Sequence, residues 1–262
     1  ALMIDLGNNY IDGYVKDLIK PRENAKEEFL NVVNGIIGDV PLEAVVTHMH
    51  PDHDGMTKAF LDSDVSLWIG EGENLEALMT QHKIDPSIYQ TFKQGEKTFD
   101  LGGGRIVETF LLRGHSNGGT VFLLKPDMML FTGDAISPGP RRKRELRSAE
   151  AFNNFTIDIN NLVNNIKDNL APYDRYGLQV YTGHSGEMMF HATKTDIADT
   201  LPEDAGYGEW RFFQDMANVA NAIKDGTWLD STRGFHHFEV PAGSKDQKQR
   251  QIVFYNGALI LP

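Results

Sequence analysis

The chain has no cysteine, and this absence excludes several kinds of chemistry at once. Without thiols there is no disulfide framework, no thiolate nucleophile and no cysteine ligand for a metal ion. Long apolar runs are missing too, since no stretch approaches the roughly 20 residues that span a bilayer. Positive charge is scarce, with 25 Lys and Arg against 37 Asp and Glu, a net charge of −12 and a pI near 5.1. This balance argues against general affinity for nucleic acids or membrane surfaces.

The length of 262 residues, 40% of them hydrophobic, suits one large domain with a substantial core. Residues 2–6 already have the pattern of a core strand, and no basic, apolar leader precedes them. The numbered chain therefore has the features of a truncated or processed form, and a signal peptide cannot be judged. The compartment is left open, with a soluble cytoplasmic protein favoured.

Helical and strand patterns alternate along the chain, which is typical of an α/β fold. We predict helices over residues 23–38 and 55–61 and along the apolar spacings of residues 155–170 and 210–223. The predicted strands are residues 2–6, 42–47, 65–69, 105–113, 120–125, 128–132, 179–182, 235–240 and 251–255. We expect one domain over residues 1–262, with a C-terminal extension from about residue 195 packing on it.

A polar segment over residues 48–53 follows the predicted strand at 42–47 and reads His-Met-His-Pro-Asp-His. Three imidazoles and one carboxylate fall within six residues, and a tight loop after a strand can aim them at one place. Further along the chain, His115, Asp134 and His184 each lie beside a glycine in a predicted turn. Neutral imidazole and carboxylate are ligands for zinc and similar divalent metals. The set is large enough for two adjacent metal sites.

This arrangement resembles the metallo-β-lactamase superfamily, whose pattern is His-x-His-x-Asp-His, then a separate His, a bridging Asp and a last His. The resemblance runs from about residue 1 to about residue 190. It implies a four-layer αβ/βα sandwich, from which the family's usual first N-terminal hairpin is missing in the numbered chain. It implies that His48, His50 and His115 hold a first metal ion, and that Asp52, His53 and His184 hold a second. In the same way it implies that Asp134 bridges both ions and that Asp5 supports the cluster from beneath.

The resemblance also implies a hydrolase in which two divalent ions share one hydroxide that attacks a carbonyl or phosphoryl centre. Zinc is the expected metal, and iron or manganese is also compatible with His and Asp ligands. The expected catalytic residues are Asp52, which would orient the hydroxide or move its proton, and Asp134. The expected substrate is a small ester, thioester, lactone or amide.

Two residues help to choose among the branches of the family. Asp134 favours the glyoxalase II, lactonase, phosphodiesterase and ribonuclease Z branches, and His50 disfavours the flavodiiron branch, which normally has Glu there. The long tRNA-binding arm of ribonuclease Z is not found. Two alternatives stay open, an iron-dependent oxidoreductase similar to persulfide dioxygenases and a small-molecule phosphodiesterase.

A basic run over residues 141–147 stands out in this acidic chain. One interpretation is a rim that steers an anionic substrate, with Arg141 and Arg142 contacting it. The other is a solvated loop, which is the usual state of a run of like charges. We therefore expect a small-molecule substrate, with an anionic one in keeping with the first interpretation. We expect no nucleic acid and no membrane partner, and a homodimer is left open.

Overall fold

The structure of the protein is a computed structural model that describes residues 1–13, 19–76, 79–80, 83–136, 144–146, 148–169, 178–183, 209–227, 235–239 and 251–255. The α-helices in these ranges are α1 (Ala25–Ile37), α2 (Ala149–Asn169) and α3 (Glu209–Lys224). Strands of the N-terminal half are β1 (Leu2–Ile4), β2 (Glu43–Val46), β3 (Ser66–Gly70), β4 (Tyr89–Phe92), β5 (Thr98–Asp100) and β6 (Ile106–Leu111). Those that follow are β7 (Thr120–Lys125), β8 (Met129–Gly133), β9 (Arg144–Glu145), β10 (Gln179–Thr182), β11 (Phe235–Glu239) and β12 (Gln251–Tyr255).

The first sheet contains four parallel strands in the order β1-β2-β3-β4. Strand β2 is apolar on both faces, as expected for a parallel sheet that is covered on both sides. Ala44 and Val46 point into a core shared with Phe29 and Leu30 of α1, whereas Val45 belongs to the core on the opposite face. A single turn of 3₁₀ helix, Thr57–Phe60, packs into the same core as α1, where the sequence predicts a helix over residues 55–61.

The second sheet has the order β10-β8-β7-β6-β5 and is mostly antiparallel. Only β10 pairs in parallel, with β8, and α2 makes the crossover between the two strands. Strands β6 and β8 run in the same direction because β7 lies antiparallel between them. Their C-terminal ends, which precede His115 and Asp134, therefore lie at the same edge of the sheet.

The two sheets pack face to face through a core of buried side chains. This inter-sheet core comprises Val45, Phe92, Phe99, Val107 and Phe122. On its outer face the second sheet packs against α2 and α3, with Phe155 and Phe213 fully buried there. The order of layers is α1, first sheet, second sheet, then α2 with α3, which confirms the predicted αβ/βα sandwich.

A small third sheet is formed by β11, β12 and β9, in which β12 pairs antiparallel with β11 and parallel with β9. The described parts of the expected C-terminal extension are α3, β11 and β12, whereas β9 lies earlier in the chain. Among the helices that the structure describes, none is both long enough and apolar enough to cross a membrane.

Candidate metal centre

The loop after β2 is held from beneath by the carboxylate of Asp5. Thr47 donates to it twice, from its backbone N–H to Oδ1 at 2.7 Å and from its hydroxyl to Oδ2 at 3.0 Å. His53 Nδ1 lies 2.7 Å from Asp5 Oδ2. The strand β1 ends before Asp5 because this residue has a φ of 63°, a left-handed conformation that Asp tolerates better than most residues. The contact with the carboxylate favours a proton on Nδ1 of His53 and directs Nε2 toward Asp134.

Three imidazole rings from two loops converge at the ends of β2 and β6. The Nε2 atom of His48 lies 2.8 Å from His50 Nδ1, and His115 Nε2 lies 3.2 Å and 3.1 Å from these same two atoms. Ligands around a tetrahedral zinc ion with bonds of about 2.0–2.1 Å are separated by roughly 3.3 Å. The triangle of nitrogens is therefore close to the size that one small divalent ion requires.

Asp134, at the end of β8, lies between this triangle and His53. Its Oδ1 is 3.3 Å from His53 Nε2, and its Oδ2 is 3.7 Å from His115 Nε2. Asp52 also approaches His53, with its Oδ2 at 3.8 Å from His53 Nε2. The ligand atoms of His48, His50, His115 and Asp134 all lie within 4.8 Å of one another. Six of the seven predicted ligands are thus brought together.

Gly183 allows the end of β10 to reach this cluster. Its N–H donates to the carbonyl of Gly133 at 2.9 Å. A Cβ at this position would lie 2.5 Å from Asp134 Oδ1 and 2.6 Å from His53 Cε1, closer than real Cβ atoms approach. His184, the seventh predicted ligand, lies outside the described residues, as do Arg141 and Arg142. The roles of these three residues stay predictions.

Burial and charge give His48 and His53 opposite protonation. Burial lowers the pKa of His48 far below its usual 6.5, and the neighbouring His53, His115 and His50 lower it further. Burial also opposes the charge on His53, but its hydrogen bonds with Asp134 and Asp5 outweigh this and raise its pKa to about 10. His48 is therefore neutral and ready to bind a metal ion, whereas His53 must release a proton before its Nε2 can do so.

The structure also contains supporting residues that the sequence did not reveal. Arg113, two residues before His115, donates three hydrogen bonds to Asp158 of α2, from its N, Nε and Nη2 atoms at 2.9, 2.7 and 2.8 Å. This pairing raises the pKa of Arg113. The sequence does contain one indication of Asp158, which is its position three residues after Phe155 on the apolar face of α2. A charged residue on such a face needs a partner.

The sequence matches the model of the metallo-β-lactamase superfamily over residues 24–205. No curated protein matches the chain. Solved structures with a similar fold include the DIM-1 metallo-β-lactamase, which is 17% identical with a TM-score of 0.48, covering 85% of this chain and 82% of that one.

Two further solved structures are also similar to this chain. A quorum-quenching N-acyl homoserine lactone lactonase is 18% identical with a TM-score of 0.44, covering 70% of this chain and 74% of its own. A mutant flavo di-iron protein from Thermotoga maritima is 14% identical with a TM-score of 0.45, covering 89% of this chain and 51% of its own. The chain thus spans about half the length of the flavo di-iron protein. Because the family model matches well over half of the residues, the chain belongs to the metallo-β-lactamase superfamily.

Proposed function

We propose that the protein is a dinuclear metallohydrolase that cleaves a small ester, thioester, lactone or amide. The observation that carries this proposal is the position of Asp134, whose two carboxylate oxygens face His53 Nε2 on one side and His115 Nε2 on the other. A single carboxylate between two sets of nitrogen donors suits two adjacent divalent ions. Zinc is the proposed metal and iron or manganese is the alternative, because imidazole and carboxylate donors suit all three.

His48, His50 and His115 would hold the first proposed ion, Asp52, His53 and His184 would hold the second, and Asp134 would be a ligand of both. When bound, such a pair of ions makes water nucleophilic at neutral pH and polarises the carbonyl oxygen of a substrate. The donor set fits this use, because His48 is neutral and the proton of His53 is one that metal binding can displace.

The burial of the ligands indicates where a substrate approaches. His48, His53 and Asp134 are buried and form a closed floor, whereas His50 is exposed. Asp52 and His115 lie between these extremes, with 24% and 26% of their side chains exposed. A small substrate would therefore reach the cluster from the side of His50. Asp52, at this rim, is the proposed acceptor for the proton of the attacking water.

Specificity for an anionic substrate is a further part of the proposal, and it rests on the basic sequence of residues 141–147. Arg141 and Arg142 are the residues proposed to contact such a substrate. Small molecules are the proposed partners in general, and association of two copies of the chain is left open.

Elemental analysis of the purified protein tests the proposed centre. We expect two zinc or manganese ions per chain for the wild type. Asp134→Ala should reduce this number to one or fewer, and His48→Ala should abolish loading of the first ion. His236→Ala is the matched control, because His236 lies on β11 outside the ligand set, and it should retain both ions.

Turnover is then measured on a panel of esters, thioesters, lactones, β-lactams and phosphodiesters. Hydrolysis that disappears in the His48→Ala and Asp134→Ala proteins and persists in His236→Ala would support the proposal. An active variant without metal would overturn it. One iron per chain together with oxygen consumption on a persulfide would instead establish the oxidoreductase alternative.

A further inference from the structure

The turn that follows β3 lies between the two loops that carry the first three histidines. Its Glu73 side chain accepts one hydrogen bond from each loop. Oε2 accepts from the backbone N–H of Met49 at 3.2 Å, and Oε1 accepts from the backbone N–H of Gly118 at 2.9 Å. Met49 stands between His48 and His50 in the chain, and Gly118 follows His115 by three residues. One carboxylate therefore joins the two loops close to their ligands.

Close backbone packing fixes the position from which Glu73 reaches both loops. A Cβ on Gly118 would lie 2.6 Å from the carbonyl oxygen of Gly70 and 2.7 Å from the backbone nitrogen of Glu73. The loop of His115 thus rests directly on the turn, and the Glu73 side chain extends from there to the other loop. A second link joins the loops at the strand ends, where Thr120 N–H donates to the carbonyl of Thr47 at 2.9 Å.

We propose that Glu73 is a positioning residue that sets the separation between His115 and the pair His48 and His50, and thereby the affinity for the first metal ion. Both of its oxygens accept backbone hydrogen bonds, so its role is to hold the loops. Hydrogen bonds to a carboxylate are stronger than neutral ones, and they keep the three nitrogens close together before an ion arrives. Groups that orient metal ligands typically change metal affinity about 10–100-fold when they are lost. The inference rests on the proposed metal centre, and not on the proposed reaction.

The test is a titration of metal-free protein with Zn²⁺ in competition with a chromophoric chelator, repeated with Co²⁺ to read the absorption spectrum of the bound ion. Glu73→Gln keeps the size of the side chain but can accept from only one loop, since its NH₂ group repels the other N–H. We expect affinity for the first ion to fall about 10-fold or more, with a smaller change for the second. Glu71→Gln is the charge-matched control, because Glu71 is exposed and its ion pair with Lys93 spans 4.0 Å. It should leave both affinities unchanged.

A second comparison separates positioning from general damage to the fold. In a His115→Ala background the loop of Gly118 no longer carries a ligand, so Glu73→Gln should then have little further effect on the remaining affinity. The proposal is overturned if the loss persists in that background, or if Glu73→Gln behaves like Glu71→Gln. Should Glu73→Gln not fold, as judged by circular dichroism, the shorter Glu73→Asp replaces it with the same expected result. A wild type that binds metal but hydrolyses nothing would contradict only the proposed reaction.

Discussion

Removing the guanidinium of Arg113 should destabilise the protein far more than removing that of Arg105, although both pair with an aspartate through two nitrogens. Arg105 contacts Asp127 at 2.8 and 3.4 Å on the surface, where 53% and 32% of the two side chains are exposed. Arg113 contacts Asp158 at 2.7 and 2.8 Å, where 28% and 2% are exposed. Burial of the carboxylate is therefore the main difference between the two pairs.

The magnitudes follow from this difference. Breaking a buried pair and leaving one charge behind costs about 3–5 kcal/mol. In Arg113→Ala, Asp158 would still accept the hydrogen bond from the backbone N–H of residue 113, which is 2.9 Å long in the wild type. We therefore expect the loss of stability to lie at the lower end of this range, at about 3 kcal/mol. Arg105→Ala should cost no more than about 1 kcal/mol, as is usual for exposed pairs. Adding Asp158→Asn to Arg113→Ala should restore part of the loss, because the amide oxygen still serves that N–H and no charge remains buried.

The assay is urea unfolding of metal-free protein in the presence of a chelator, so that metal binding does not shift the midpoints. Free energies of unfolding are compared at a common m value, provided that the transitions are two-state. Equal losses for Arg113→Ala and Arg105→Ala would refute the reasoning. So would a double variant that is no more stable than Arg113→Ala alone.

Two further predictions concern the surroundings of the metal centre. Gly183→Ala should weaken metal binding in a chelator competition, because the new Cβ would displace Asp134 or His53. Gly35→Ala is the control and should not change the affinity, because Gly35 lies in open space on α1. Equal affinities of the two variants would contradict this prediction. The contribution of Asp54 to the stability of the metal-free protein should fall as the pH rises from about 4 to about 7, because burial raises the pKa of Asp54 to about 7 and the unfolded carboxyl, at 3.8, ionises first. We therefore expect the free energy of unfolding of Asp54→Asn, measured in urea and relative to that of the wild type, to increase by up to about 4 kcal/mol between those pH values. A difference between the two proteins that does not change with pH would contradict this prediction.

Much of the fold could be predicted because its central strands are apolar runs with clear ends. The strands β2, β3, β7 and β8 lie within a residue or two of their predicted positions. The edge strands β4 and β5 were missed, and their composition explains why. Only Tyr89 and Phe92 of β4 are buried, with two exposed residues between them, and β5 has the single buried residue Phe99. Such short segments carry neither the alternation nor the length that indicates a strand.

The candidate ligands were predictable for a different reason. A metal centre needs particular donor types, and the sequence places them in order after the ends of strands. Glu73 holds the ligand loops but is not itself a ligand, so the pattern of donor residues does not indicate it. The contacts of Glu73 with Met49 and Gly118 span 24 and 45 residues, and they depend on how separate loops pack. Local sequence patterns contain no information of that kind.

The convergence of His48 and His115 joins positions that are 67 residues apart in the chain, one in the loop after β2 of the first sheet and one in the loop after β6 of the second. An ion bound by both would act as a cross-link between the two halves of the sandwich. If it restricted the unfolded chain as a disulfide closing a loop of that length does, it would add about 4 kcal/mol to the free energy of unfolding. This protein has no cysteine and so no disulfide. The histidines proposed to serve the reaction would then also provide, through the bound ion, the kind of cross-link that disulfides form in other proteins.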